Sequence, residues 1–106
     1  MARYLIRATY TAEGARGVLK EGGSSRRSMI EQAVQKLGGT LEAFYFAFGD
    51  EDAYVLVDLP DHATASAISL HVSASGAVAA TTIALITPEE IDAASKMKVD
   101  YHPPGA

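Results

Sequence analysis

The 106-residue chain predicts a single α+β domain in which two halves of strand, helix, strand order share one antiparallel sheet. Three observations predict it. Aromatic and β-branched runs fall at Arg3 to Tyr10, Thr40 to Phe48, Ala53 to Leu59 and Val78 to Ile86. Helical patterns separate the first run from the second and the third from the fourth. The middle two are joined only by "GDED", Gly49 to Asp52, which is a hairpin link.

The first strand has no Gly or Pro and ends at "TAEG". The next segment, "AEGARGVLKEGG", has weak helical spacing through Ala12, Ala15, Val18 and Leu19, but its glycines each cost up to ~1 kcal/mol of helix propensity relative to Ala. A short, frayed helix or turn is expected there. Ser24 or Ser25 then caps the next helix, or Ser28 with Glu31 forms a capping box, and Ile30, Ala33, Val34 and Leu37 make one apolar stripe before Gly38 and Gly39 stop it. After the hairpin, Pro60 ends the strand and Asp61 caps a helix through "HATASAISLHV", whose small residues suit close packing on a sheet; Gly76 breaks it. "TPEE" opens a terminal helix, with Thr87 as cap, Pro88 in its first position and two acids near the positive end of the helix dipole. The expected domain spans 1-98, and "YHPPGA" belongs to an extended tail over 99-106. The resulting order, strand, helix, strand, strand, helix, strand plus a helix, is the ferredoxin-like β-α-β-β-α-β pattern with helices on one face of the sheet.

Such a sheet should alternate apolar and polar residues, because its uncovered face is wet. The hairpin does not. Strict alternation puts Phe44, Phe46 and Phe48 on one face and Leu41, Ala43, Tyr45 and Ala47 on the other; the second strand puts Val55, Val57 and Leu59 opposite Tyr54 and Leu56. Two apolar faces predict a homo-oligomer, a homodimer or larger, in which the sheets of two subunits stack face to face.

Hydrophobic residues at 48% and charged residues at 21% match a globular chain. A net charge of -4, from 9 Lys and Arg against 13 Asp and Glu, provides no basic field for nucleic acid. The absence of cysteine excludes disulfides, thiolate metal sites and a thiol nucleophile, and fits a reducing, cytoplasmic setting. No run of about 18 apolar residues predicts a membrane span.

Several fragments in order, "YT" at Tyr10 and Thr11 with Gly14, "LGG" at Leu37 to Gly39, "FYFAFGDEDAYVLVDLPD", "SASGAV" at Ser73 to Val78 and "TPEE", resemble the GYD-domain family across nearly the whole chain. The resemblance implies a small, mainly bacterial protein related to the dimeric α+β barrels, and no particular activity. In the Gly-Tyr-Asp motif, Gly49 and Asp52 match while Glu51 stands in place of the tyrosine. Ala79 stands where a basic residue is expected.

The candidate chemistry is sparse. Asp50, Glu51 and Asp52 are residues that a hairpin tip favours in any case, and a calcium loop starting at Asp50 would have Val55 and Asp61 where it needs Gly and Glu. Asp52, beside a buried strand, is the acid with most claim to a cavity or to a turn cap. "KEGGSSRR" places Lys20, Arg26 and Arg27 around a helix N-terminus as candidate anion ligands, without P-loop or dinucleotide spacing. His62, His71 and His102 have no metal-ligand spacing, so no metal is expected. His71 and Asp52 are the candidate catalytic bases. Arg7, Tyr10, Tyr45 and Tyr54 are candidate ligand-binding residues, with Arg7 also placed to pair with Asp58. Ser73 and Ser75 lie in no nucleophile elbow. These readings converge on a small-molecule-binding homo-oligomer with no cofactor. By analogy with the wider barrel superfamily, an enzymatic version would perform cofactor-independent proton transfer or oxygenation. The alternative is a non-enzymatic oligomeric regulatory or protein-interaction module.

Overall fold

The computed structural model describes residues 2–105. The elements in chain order are β1 (Ala2–Tyr10), α1 (Ala12–Glu21), α2 (Gly23–Lys36), β2 (Thr40–Phe46), β3 (Ala53–Leu59), α3 (His62–Ala74), β4 (Val78–Ala84) and α4 (Pro88–Ser95). The four strands form one antiparallel sheet in the order β2-β3-β1-β4. This is the expected α+β arrangement, consistent with a ferredoxin-like fold.

Of the two forms expected for the first crossover, a short frayed helix or a turn, the helix forms, and it is a regular one of ten residues with a capped start. Thr11 caps α1, its hydroxyl accepting from Gly14 N at 3.2 Å. Gly14 is required by packing, because a Cβ there would overlap the Ala77 carbonyl oxygen. Close approach of α1 to the start of β4 thus offsets the propensity lost at that glycine. Gly22, at φ 88, turns the chain into α2 and donates its N–H to Val18 O at 2.7 Å. Because Gly22 itself occupies the N-cap of α2, Ser24 and Ser25 lie inside the first turn and Ser28 lies in the helix interior, so no serine cap forms.

Strict alternation also fails in β2. The register slips between Leu41 and Ala43, and the bulge turns Leu41 to the same face as Phe44, against the core. The strand stops at Phe46, and Phe48 is fully solvent-exposed. The later elements form at the expected places, except that β4 ends at Ala84 rather than Ile86. Asp61 caps α3, its Oδ1 accepting from Thr64 N at 2.8 Å and from the Thr64 hydroxyl at 2.7 Å, and these bonds hold its carboxyl below the usual 3.8. Thr87 and Glu90 close a capping box on α4.

The core lies between the sheet and helices α2 and α3. Tyr4, Val34, Val55, Val57, Leu59 and Ala65 form its larger part, and Ala8, Ala53 and Val78 a smaller one beside Tyr10 and Val72. Val57 and Leu59 retain no exposure at all. The Tyr4 hydroxyl reaches out of this core to His62 Nδ1.

The opposite face of the sheet carries Ala43, Leu5, Leu56 and Ile83, all half-buried, with Tyr45 and Tyr54 exposed. Arg3 pairs with Glu42 at 3.7 Å and Arg7 with Glu51 at 4.0 Å on that face. Arg7 does not pair with Asp58, because the register sets Asp58 opposite Arg3 and puts Tyr54 opposite Arg7. Residues 84–105, including α4, are exposed throughout. Among the described residues no helix is long and apolar enough to cross a membrane.

Candidate functional site

The three hairpin acids have distinct partners. Asp52 Oδ2 accepts the backbone N–H of Tyr10 at 2.8 Å, while its own N–H donates to Ala8 O at 2.9 Å. Glu51 Oε2 accepts from the Thr9 hydroxyl at 2.8 Å, and its other oxygen faces Arg7. Asp50 is exposed at the tip. Glu51 and Asp52 therefore fasten the hairpin to the end of β1. Thr11 fastens the same end to β4, its N–H donating to Ala77 O at 3.0 Å and its hydroxyl to Gly76 O at 3.0 Å.

Between the sheet and the helices lies a partly open apolar space of about 50 Å³, lined by Ile6, Ile30, Phe44, Val55, Ile68 and Val72 among others. Its polar lining is confined to Tyr10, Arg26 and the hydroxyls of Ser69 and Thr82, which bond to each other at 2.6 Å. Tyr10, Arg26, Ile30, Val72 and Val78 also line a second, more open groove of about 470 Å³ between α1, α2 and α3. The two spaces thus share a wall. Among the described residues Arg26 is the one charged side chain lining the inner space. It is half-buried, and among the described residues no carboxylate pairs with it, although Glu13 and Glu21 line the outer groove.

His71 also lines the groove. Its Nδ1 lies 2.8 Å from Ala67 O, and a carbonyl can only accept, so Nδ1 carries the proton and Nε2 is left as the basic nitrogen. Asp52 lies outside both spaces and is held by the backbone. The two candidate bases are therefore not brought together.

The four candidate ligand residues divide between the two faces of the sheet. Tyr10 points to the helix side, stacked on Phe46 with ring centroids 6.4 Å apart. Tyr45, Tyr54 and Arg7 stand in register across β2, β3 and β1 on the open face. The candidate anion ligands also diverge: Arg26 faces the groove, Arg27 lines shallow surface hollows with Glu31, Phe44 and Tyr45, and Lys20 is exposed in the last turn of α1. Sequence reasoning did not single out Val72, Ser69 or Thr82, which read only as parts of apolar or small-residue runs. Helical spacing could have separated Arg26 from the other two candidate anion ligands, since Ile30, four residues on, lies on the apolar stripe. Among the described residues no group of three His, Asp or Glu side chains could hold a metal ion.

The fragments that carry the family resemblance meet in space, with Tyr10, Thr11 and Gly14 against Gly76 and Ala77, and Asp52 on Tyr10. The GYD-domain family model matches residues 4–95. The chain belongs to the GYD-domain family. The matched span of this GYD domain covers every strand from Tyr4 onward and ends with α4. No curated protein and no solved structure shows significant similarity to the chain.

Proposed function

We propose that this GYD-domain protein binds a small molecule with an apolar body and one anionic group, held between α1, α2 and α3, and that it works as a homo-oligomer whose open sheet faces cover one another. One observation carries the ligand reading: among the described residues Arg26, half-buried without an ion-pair partner, is the only charge on a mainly apolar space that shares a wall with a groove of about 470 Å³. That groove falls within the ~300 to 1,000 Å³ typical of small-molecule sites. An apolar body would displace water from Ile30, Val72 and Val78 while a carboxylate meets the guanidinium in a charge-assisted bond. His71 Nε2 and the Tyr10 phenol stand at the same groove and give the site a base and a hydrogen-bond donor for proton transfer.

One observation favours the second reading, a non-enzymatic interaction module. The inner space is only about 50 Å³, far below the ~300 Å³ lower bound of ligand sites. Calorimetric titration and thermal-shift measurements with short aliphatic and aromatic carboxylates separate the two. The ligand reading expects saturable stabilisation of the protein, weakened about tenfold or more in affinity by Arg26→Gln. If no carboxylate stabilises the protein at millimolar concentration, or if Arg26→Gln binds as well as the original chain, that reading is wrong.

A further inference from the structure

The segment from Ile86 to Tyr101 raises a separate question. It leaves the end of β4 and stays exposed along its whole length, with Ile86, Ile91, Met97, Val99 and Tyr101 all more than half exposed. Its helix is well specified by the capping box and Pro88. Yet α4 has eight residues, and helices shorter than ~12 residues are marginal in water without tertiary packing. Within one chain that packing is missing. Beyond the helix, Met97, Val99 and Tyr101 alternate with Lys98 and Asp100. Met97 closes the last turn of α4 through its N–H to Ala94 O, and the alternation beyond it suits an extended pairing in which Val99 and Tyr101 share one side.

The surface of the whole molecule supports the same need for cover. A compact monomer of 11.2 kDa would expose about 5,700 Å², whereas this chain exposes 7473 Å². The excess, about 1,800 Å², is more than twice the ~800 Å² that one partner contributes to a standard interface. The radius of gyration, 17.0 Å, likewise exceeds the ~13 Å of a compact domain of this length.

We infer that this segment is an exchanged arm: residues Ile86 to Tyr101 of one chain pack their apolar side chains on a second copy, beside the stacked sheet faces, and the second copy's arm does the same in return. The inference rests on the homo-oligomer reading above. A second copy is the occupant that covers both unpartnered surfaces of the chain, sheet face and arm, in one closed twofold assembly. The open face suits it in charge as well. Arg3 and Arg7 on β1 are flanked by Glu42, Asp58 and Glu51, so the face carries both signs and a second copy meets no uniform field of its own sign.

The test is light scattering across a dilution series on three full-length chains: the original, the double substitution Ile91→Asp with Val99→Asp on the arm, and Leu56→Asp on the sheet face. Amide hydrogen exchange of residues 88–101 is followed in parallel. The expected result is a dimer whose dissociation constant rises about a hundredfold or more in the arm variant, with arm amides that gain protection as concentration rises. All core strands should keep their protection in every variant, which separates lost association from lost folding. A dimer that tightens or holds unchanged in the arm variant, with arm amides unprotected at every concentration, overturns the arm and leaves the sheet-face assembly standing. An original chain that stays monomeric throughout overturns both.

Discussion

The two faces of the same sheet differ in how they are completed. Along β3, one residue apart, Val55, Val57 and Leu59 are buried under helices while Tyr54, Leu56 and Asp58 look the other way, exposed or half-buried. Each face carries large apolar side chains, but only one has its cover within the chain. The difference shows that alternation along a strand assigns residues to faces without revealing how each face is satisfied. The helix side is a finished core; the open side leaves Leu5, Leu56 and Ile83 half-buried among paired charges.

Substitutions on the two faces should therefore have different consequences. The largest effect is expected at Leu59, which has no exposure: Leu59→Ala should lower folding stability by about 2–5 kcal/mol, read as a shift of the urea midpoint. Next comes the close approach at Gly39, where a Cβ would stand 2.6 Å from Asp58 O and 2.8 Å from Leu59 Cδ2. Gly39→Ala should cost about 1–3 kcal/mol by the same measurement. Asp52→Ala should cost about 1–3 kcal/mol, because it leaves the Tyr10 N–H without its acceptor. Asp52→Asn, which keeps an accepting oxygen, should recover most of that loss. On the open face, Leu56→Asp should change the stability of the isolated chain by only about 0.5 kcal/mol while abolishing self-association. Equal destabilisation by Leu59→Ala and Leu56→Asp would erase the contrast between the faces.

The smallest effect concerns pH. The Asp61 carboxyl is held below 3.8 by its bonds from the Thr64 side chain and backbone. A lowered carboxylate contributes stability that is complete above the unfolded value and is lost as pH falls through the folded one. Acid titration of helical circular dichroism should show this loss below about pH 4, and Asp61→Asn should remove that component of the acid transition.

Much of the fold was legible because local chemistry and global pattern agree. Asp61, Pro60, Thr87 and Pro88 mark their helix ends without reference to anything distant, and "GDED" leaves the middle strands little choice but a hairpin. The failures were tertiary. Gly14 lowers helix propensity in isolation, yet α1 needs it in order to approach Ala77; that contact joins residues 63 positions apart and has no local signature. The bulge at Glu42 reverses the side of Leu41, an event that a strict period of two cannot represent. The site was less legible than the fold. Arg26 and Arg27 are adjacent in sequence and equal in charge, and only the helical rotation between them sends one to the groove and the other toward β2. The row of Arg7, Tyr54 and Tyr45 depends on strand order, so its position on the open face could be read only after the sheet was known.

The central claim is that the open sheet face is completed by a second copy of this chain. Sedimentation equilibrium on the original chain tests it most directly. The account predicts a mass at or above twice 11.2 kDa that falls to the single-chain value on Leu56→Asp substitution. A single-chain mass at every concentration, with Leu5, Leu56 and Ile83 left facing water, would contradict it.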